Sequence, residues 1–229
     1  MAISGRALEA EVGEPVEVVS KMVWPNDRLP ALIEGWIDEF EPSLVFLWIN
    51  PFWFTYESGA RFFERRLGRF ARRFIGLEKQ VARRPAINQN PAYKGLRRLA
   101  VTTIGGSVFV EPEDLLPMVE TWVRRVLRRE EITLVVRGAM MPMHMGATRP
   151  GRSRSIRRYL EMEAAGAALC QRLHVDYIPS PPAGEWIGRP DLFLGDRFHC
   201  NAEGHAKMGE IEAEGMVAAW RRSHSPAQP

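Results

Sequence analysis

Four short, nearly uninterrupted apolar runs, separated by stretches of helical period, constrain the fold of this chain more than any other feature. They are Val16 to Ser20 (VEVVS), Ser43 to Ile49 (SLVFLWI), Ile132 to Val136 (ITLVV) and Val175 to Ile178 (VDYI). A strand that is apolar at consecutive positions is covered on both faces, and parallel strands need helical crossovers between them. The pattern therefore predicts an α/β fold with a parallel sheet between helices.

The helices are legible from their spacing. After Asp27, a plausible cap, Leu29, Leu32, Ile33, Trp36, Ile37 and Phe40 recur on one face. A second helix follows Glu113, with Leu116, Val119, Val123, Val126 and Leu127 inward, and a third spans about Ser155 to Leu173. The last runs from about Ala202 to Arg222, with Asn201 as N-cap and Ala206, Ala213, Val217 and Trp220 facing the core. Residues 223–229 read as a disordered tail.

At 229 residues and 45% hydrophobic, the chain can fill one large core. Basic residues number 31 against 28 acidic, a mixed balance that does not by itself call for nucleic acid. Two cysteines, Cys170 and Cys200, make neither a disulfide framework nor a paired metal motif. No signal peptide or membrane span is visible, so a cytoplasmic location is expected.

Residues 51–111 exceed an ordinary connection and read as a lid insertion. It opens with Phe52, Trp53, Phe54 and Tyr56 and continues through RFFERRLGRFARRF, where Phe63, Leu67, Phe70 and Phe74 share a face opposite arginines. A basic-surfaced helix capping the core explains this stretch, as does binding of an anionic ligand or membrane surface. The arginines from Arg61 to Arg73 match no nucleic-acid motif, and no nucleic-acid partner is expected.

The segment GDRFHCNAEGH, Gly195 to His205, carries an acid, two histidines and a cysteine just before the last helix. In Asp196-Arg-Phe-His199 the carboxylate can hydrogen-bond the near ring nitrogen, fix the tautomer and leave the far nitrogen as a base. The same residues also suit a polar, hydrogen-bonded turn. Metal binding lacks further ligands apart from His205, which falls on the following helix, so no metal is expected.

Asp-x-x-His followed by Asn-x-x-Gly-His, at the end of an α/β chain, closely resembles the final block of the SGNH (GDSL-type) hydrolases. The resemblance covers Asp196, His199, Asn201, Gly204 and His205. It implies a flavodoxin-like, three-layer α/β/α domain over residues 1–222, in which Asp196 and His199 serve a serine nucleophile. It also implies that Asn50 helps form the oxyanion hole, where the family carries Gly-x-Asn-Asp; Trp48 stands in the glycine's place and Pro51 in the aspartate's. An amide at the C-terminal end of a parallel strand suits that task, although Asn-Pro after a strand is also an ordinary turn. The family's glycine backbone donor aligns with Met22.

The nucleophile block, Gly-Asp-Ser, should precede a helix leading into VEVVS. GRALEAEVGEPVEVV reads as the end of that helix and the start of that strand, so the chain is expected to be N-terminally truncated or degenerate, with no nucleophile assigned. Ser4 reads as a disordered terminal residue, Ser20 and Ser58 as loop residues, and Ser107 as part of a glycine-rich turn out of family order. The resemblance implies a serine esterase or acyl hydrolase: His199 deprotonates a serine, an acyl-enzyme forms, and water resolves it without metal or cofactor. The partner implied is a small-molecule ester. Trp53 and Phe54, with Phe52, Tyr56, Met140, Met141 and Met143, would line its pocket or simply fill a core. The alternative is a non-catalytic binding protein of the same fold that uses the crevice and the basic lid.

Overall fold

The computed structural model describes residues 2–57, 90–92, 95, 99, 106–139, 149–181, 189–194 and 199–225. Two compact units share the chain. The first comprises Met1–Asn50, Glu113–Met143 and Glu161–Pro229, and the second Pro51–Pro112 and His144–Leu160. The second unit thus takes in the expected insertion together with a later stretch.

In the first unit lie α1 (Ala2–Val12), α2 (Leu29–Phe40) and β1 (Leu44–Trp48). The short α3 (Phe52–Thr55) belongs to the second unit. Next come α4 (Pro112–Val126), β2 (Thr133–Arg137), α5 (Arg149–Leu173), β3 (Asp176–Ile178) and α6 (Ala202–His224). The strands form a parallel sheet in the order β1-β2-β3, with Leu44 opposite Thr133 and Val136 opposite Tyr177. β2 is buried throughout because it is the central strand, whereas β1, on the edge, is only half-buried.

Adjacent residues of β3 point to opposite faces. Ile178 meets Gly215 of α6, so closely that a side chain there would collide with it, while Tyr177 lies beside Gly166 of α5. Helices therefore contact both faces. On the α6 face, Leu8 of α1 packs with Val135, Ile178, Met216 and Ala219, joined at the margin by Val16, Leu44 and Phe46. Gly209 lets α1 approach α6, since a side chain there would press on Ile3. Ser4, expected to be a loose terminal residue, is instead 2% exposed within α1.

Two further expectations are corrected. Val16–Ser20 forms no strand: it pairs with no strand among the described residues, and Val18 and Val19 are exposed. β-Branched composition makes a strand only where a neighbour completes the ladder. Asp27 does not cap α2; the N-cap position is Arg28, without a side-chain cap, and Asn26 Oδ1 accepts the Arg28 N–H at 2.8 Å. Pro30, in the first turn, needs no donor partner, which lowers the demand for a cap. The helix ends at Glu41, whose left-handed φ of 44° lets its N–H reach the Ile37 carbonyl.

Candidate active site

The C-terminal ends of the three strands lie together because the sheet is parallel. Ile49 N–H donates to Arg137 O at 3.0 Å and Gly138 N–H to Ile178 O at 2.9 Å, which lines up Asn50, Gly138 and Pro179 along one edge. The direction of α6 brings the His199 turn to the same end. Met216 and Ala219 share a cluster with Val135, whereas Glu212, earlier in the helix, pairs with Arg137, the last residue of β2. The helix therefore runs antiparallel to the strands, and its start lies towards their C-terminal ends. Cys200, next to His199, feels the charge of Arg137, in keeping with that placement.

The turn itself is held by backbone bonds. A 3-10 turn, Pro190–Leu192, leads to Phe193, which bridges antiparallel to Cys200; Leu194 N–H donates to His199 O at 2.8 Å and Asn201 N–H to Leu192 O at 3.0 Å. Asn201 is the N-cap of α6, as its position predicts: its Oδ1 accepts from Gly204 N–H at 2.9 Å, and its amide donates to Asp191 O. Gly204 is required by proximity, since a Cβ would stand 2.2 Å from the Leu192 carbonyl oxygen. Asn201 and Gly204 thus lock the turn against the helix. His199 is exposed, His205 is exposed on the first turn of α6, and Asp196 lies outside the described residues.

Behind the turn, Arg137 is wholly buried; its Nε stands 2.9 Å from Glu212 Oε1 and its Nη1 donates to Gly138 O at 2.9 Å. Burial pushes the Glu212 carboxyl above its ordinary value, and the Arg137 charge opposes that rise. Burial also raises both thiols, Cys170 to about 11 and Cys200 despite the nearby arginine, so neither is a ready thiolate nucleophile at neutral pH.

At the mouth of the sheet, Glu163 of α5 braces the segment after β3. Its Oε1 accepts Ser180 N–H at 2.7 Å and its Oε2 lies 3.3 Å from Ser180 Oγ, which donates to Ala139 O. Gly138 admits this carboxylate, because a Cβ there would stand 2.4 Å from Glu163 Oε2. Sequence reasoning passed over Arg137, Glu163, Ser180 and Glu212; Ser180, between prolines just after an apolar strand, carried the one local signal.

No family model, no curated protein and no solved structure matches this chain.

Met22 is 87% exposed in the segment before α2, and Ser20 is exposed nearby. Within the second unit, Phe54 is fully buried, Trp53 nearly so, and Val110 N–H donates to Trp53 O at 2.9 Å. Ser107 is half-buried in the same unit. There too, Glu57 receives both arms of Arg154 at 2.7 Å and Arg158 Nη1 at 3.0 Å, while Arg158 Nε reaches Glu111 at 2.9 Å. Burial alone would raise the Glu57 carboxyl, but the two guanidiniums hold it below its ordinary value. Ser58, Arg61 to Arg73, Met140, Met141 and Met143 lie outside the described residues. Among the described residues no cluster of His, Cys, Asp and Glu could hold a metal ion, and no helix is long and apolar enough to cross a membrane.

Proposed function

We propose that this chain is a serine esterase or acyl hydrolase of the SGNH type, with a three-layer, flavodoxin-like α/β/α arrangement in its first unit. One observation carries the reading: the strand that ends in Asn50 and the turn that presents His199 reach the same end of a parallel sheet, the end at which α/β folds bind ligands. Helix contacts on both faces of the sheet support the layered arrangement.

In this mechanism His199, oriented by Asp196, takes the proton of a serine hydroxyl as the oxygen attacks the ester carbonyl. His199 lies at the surface. The Asn50 amide and backbone N–H groups stabilise the oxyanion, and the protonated imidazole then returns its proton to the leaving alkoxide. Water, deprotonated by the same imidazole, releases the acid. No serine is assigned to this role. Ser180 Oγ is engaged with Ala139 O and Glu163, a holding role for the segment after β3.

The test is turnover of a short-chain p-nitrophenyl ester by the 229-residue chain, by His199→Ala and by Asn50→Ala. A drop to the buffer rate in the first variant, and a loss of about 100-fold in the second, is expected. Equal rates in the chain and in His199→Ala would leave a binding protein of the same fold as the surviving reading.

A further inference from the structure

We infer that Leu194 selects the substrate of the proposed reaction: the alcohol part of the ester lies against its side chain, so esters of apolar alkyl alcohols are favoured over those of small or polar ones. This deepens the hydrolase reading and rests on it.

The placement of Leu194 comes from the bridge that holds the His199 turn. Leu194 N–H donates to His199 O at 2.8 Å and Asn201 N–H to Leu192 O at 3.0 Å, one on each side of the antiparallel pair Phe193–Cys200. Leu194 is therefore the residue directly opposite His199. Neighbours along an extended chain point to opposite faces, and residues opposite one another across a bridge share a face. Burial follows that alternation. Phe193 and Cys200 are each 6% exposed in a cluster with Leu192, whereas Leu194 is 51% exposed and His199 is exposed. The two outer side chains thus stand side by side, with Cβ atoms about 5 Å apart.

The proton transfer determines which part of the ester meets the leucine. When the tetrahedral intermediate collapses, the C–O bond to the leaving group breaks, its oxygen keeps the electron pair and takes the imidazolium proton, and the carbonyl re-forms. The leaving oxygen must then lie about 3 Å from the ring nitrogen. The carbonyl oxygen is held separately, by the Asn50 amide at the end of β1. The carbons attached to the leaving oxygen are therefore the part of the substrate that reaches the neighbour of His199. Among the described residues of the turn, the charged side chains Arg189 and Asp191 are bound to each other at 2.7 Å, and the side chain opposite the imidazole is apolar.

The test compares butyl acetate with methyl acetate, read as acetic acid released at constant pH, for the 229-residue chain, Leu194→Gln, Leu194→Met and His199→Ala. The butyl-to-methyl ratio of kcat/KM should fall about tenfold in Leu194→Gln, which keeps the size and removes the apolar contact, and hold within about twofold in Leu194→Met. The ratio for p-nitrophenyl hexanoate over p-nitrophenyl acetate, which share a leaving group, should be the same in Leu194→Gln as in the parent chain. An unaltered butyl-to-methyl ratio in Leu194→Gln, with turnover that still requires His199, would overturn the inference and leave the hydrolase reading standing, as would a change confined to the acyl series. Release of acetic acid no faster with the parent chain than with His199→Ala would overturn the hydrolase reading and this inference with it.

Discussion

Replacing Arg137 by methionine tests how the buried charge beneath the His199 turn is held. The arginine side chain has no exposed surface and Glu212 retains 11% of its own, so the pair lies almost wholly out of water. Methionine keeps much of the volume but leaves the Glu212 charge without the guanidinium 2.9 Å away. Removing one partner of such a pair costs about 3–5 kcal/mol, because the remaining ion stays desolvated. The loss should therefore be far larger than for an exposed pair such as Arg124–Glu120, which water and salt screen.

The pH dependence gives the sharper test. Burial already raises the Glu212 carboxyl above its ordinary value of 4.5, against the pull of Arg137. A carboxyl raised on folding holds more protons folded than unfolded between the two pKa values, so stability falls as pH rises through that interval. Without Arg137 the folded value climbs further and the interval widens upward. The penalty of Arg137→Met should then shrink as pH is lowered from about 7.5 towards 5, because a protonated Glu212 needs no partner. Urea unfolding followed by circular dichroism at several pH values measures it, and Arg137→Met with Glu212→Leu should recover most of the loss. A penalty under about 1 kcal/mol at neutral pH, or one that does not vary with pH, would refute the reasoning.

Two smaller predictions concern packing. Gly204→Ala gains at most about 1 kcal/mol of helix propensity but drives a methyl into the Leu192 carbonyl, which is backbone and yields little, so a net loss of about 1–3 kcal/mol is expected in thermal unfolding. Ser4→Ala should raise stability by about 1 kcal/mol, because the Ser4 hydroxyl is buried without a hydrogen-bond partner among the described residues and alanine suits a helix better; a lower melting temperature would count against this.

The three paired strands were legible to within a residue or so, because uninterrupted apolar runs between helical segments admit few other readings. Asn201 was legible too, since capping is local chemistry. VEVVS was not, because strand formation there depends on a neighbour rather than on its own valines. The inward face of α6 was only partly foreseen: Ala213 is buried as expected, but Met216, Ala219 and Glu212 fill more of the core than Val217 and Trp220. Glu212 reads in sequence as one of several solvent-facing acids, and only the arrival of Arg137 from a distant strand makes its burial tolerable. At the candidate site, the shared end for Asn50 and His199 follows from the alternation of strands and helices. The Glu163–Ser180 brace depends on glycine at 138 and could not be read from spacing.

The pairing of α1 with α6 also sets a timetable for folding. Leu8 packs with Met216 and Ala219, Ile3 fits against Gly209, and Glu11 bonds Arg221, so the partner of α1 is synthesised roughly two hundred residues after it. The first ladder of the sheet likewise joins residues about ninety apart. During synthesis the apolar side of α1 must wait uncovered while the residues between it and α6 emerge, and the native sheet cannot be closed on that face until α6 arrives. A fold so dependent on its latest helix should respond to slowed translation or depleted chaperones before any substitution in its strands is made.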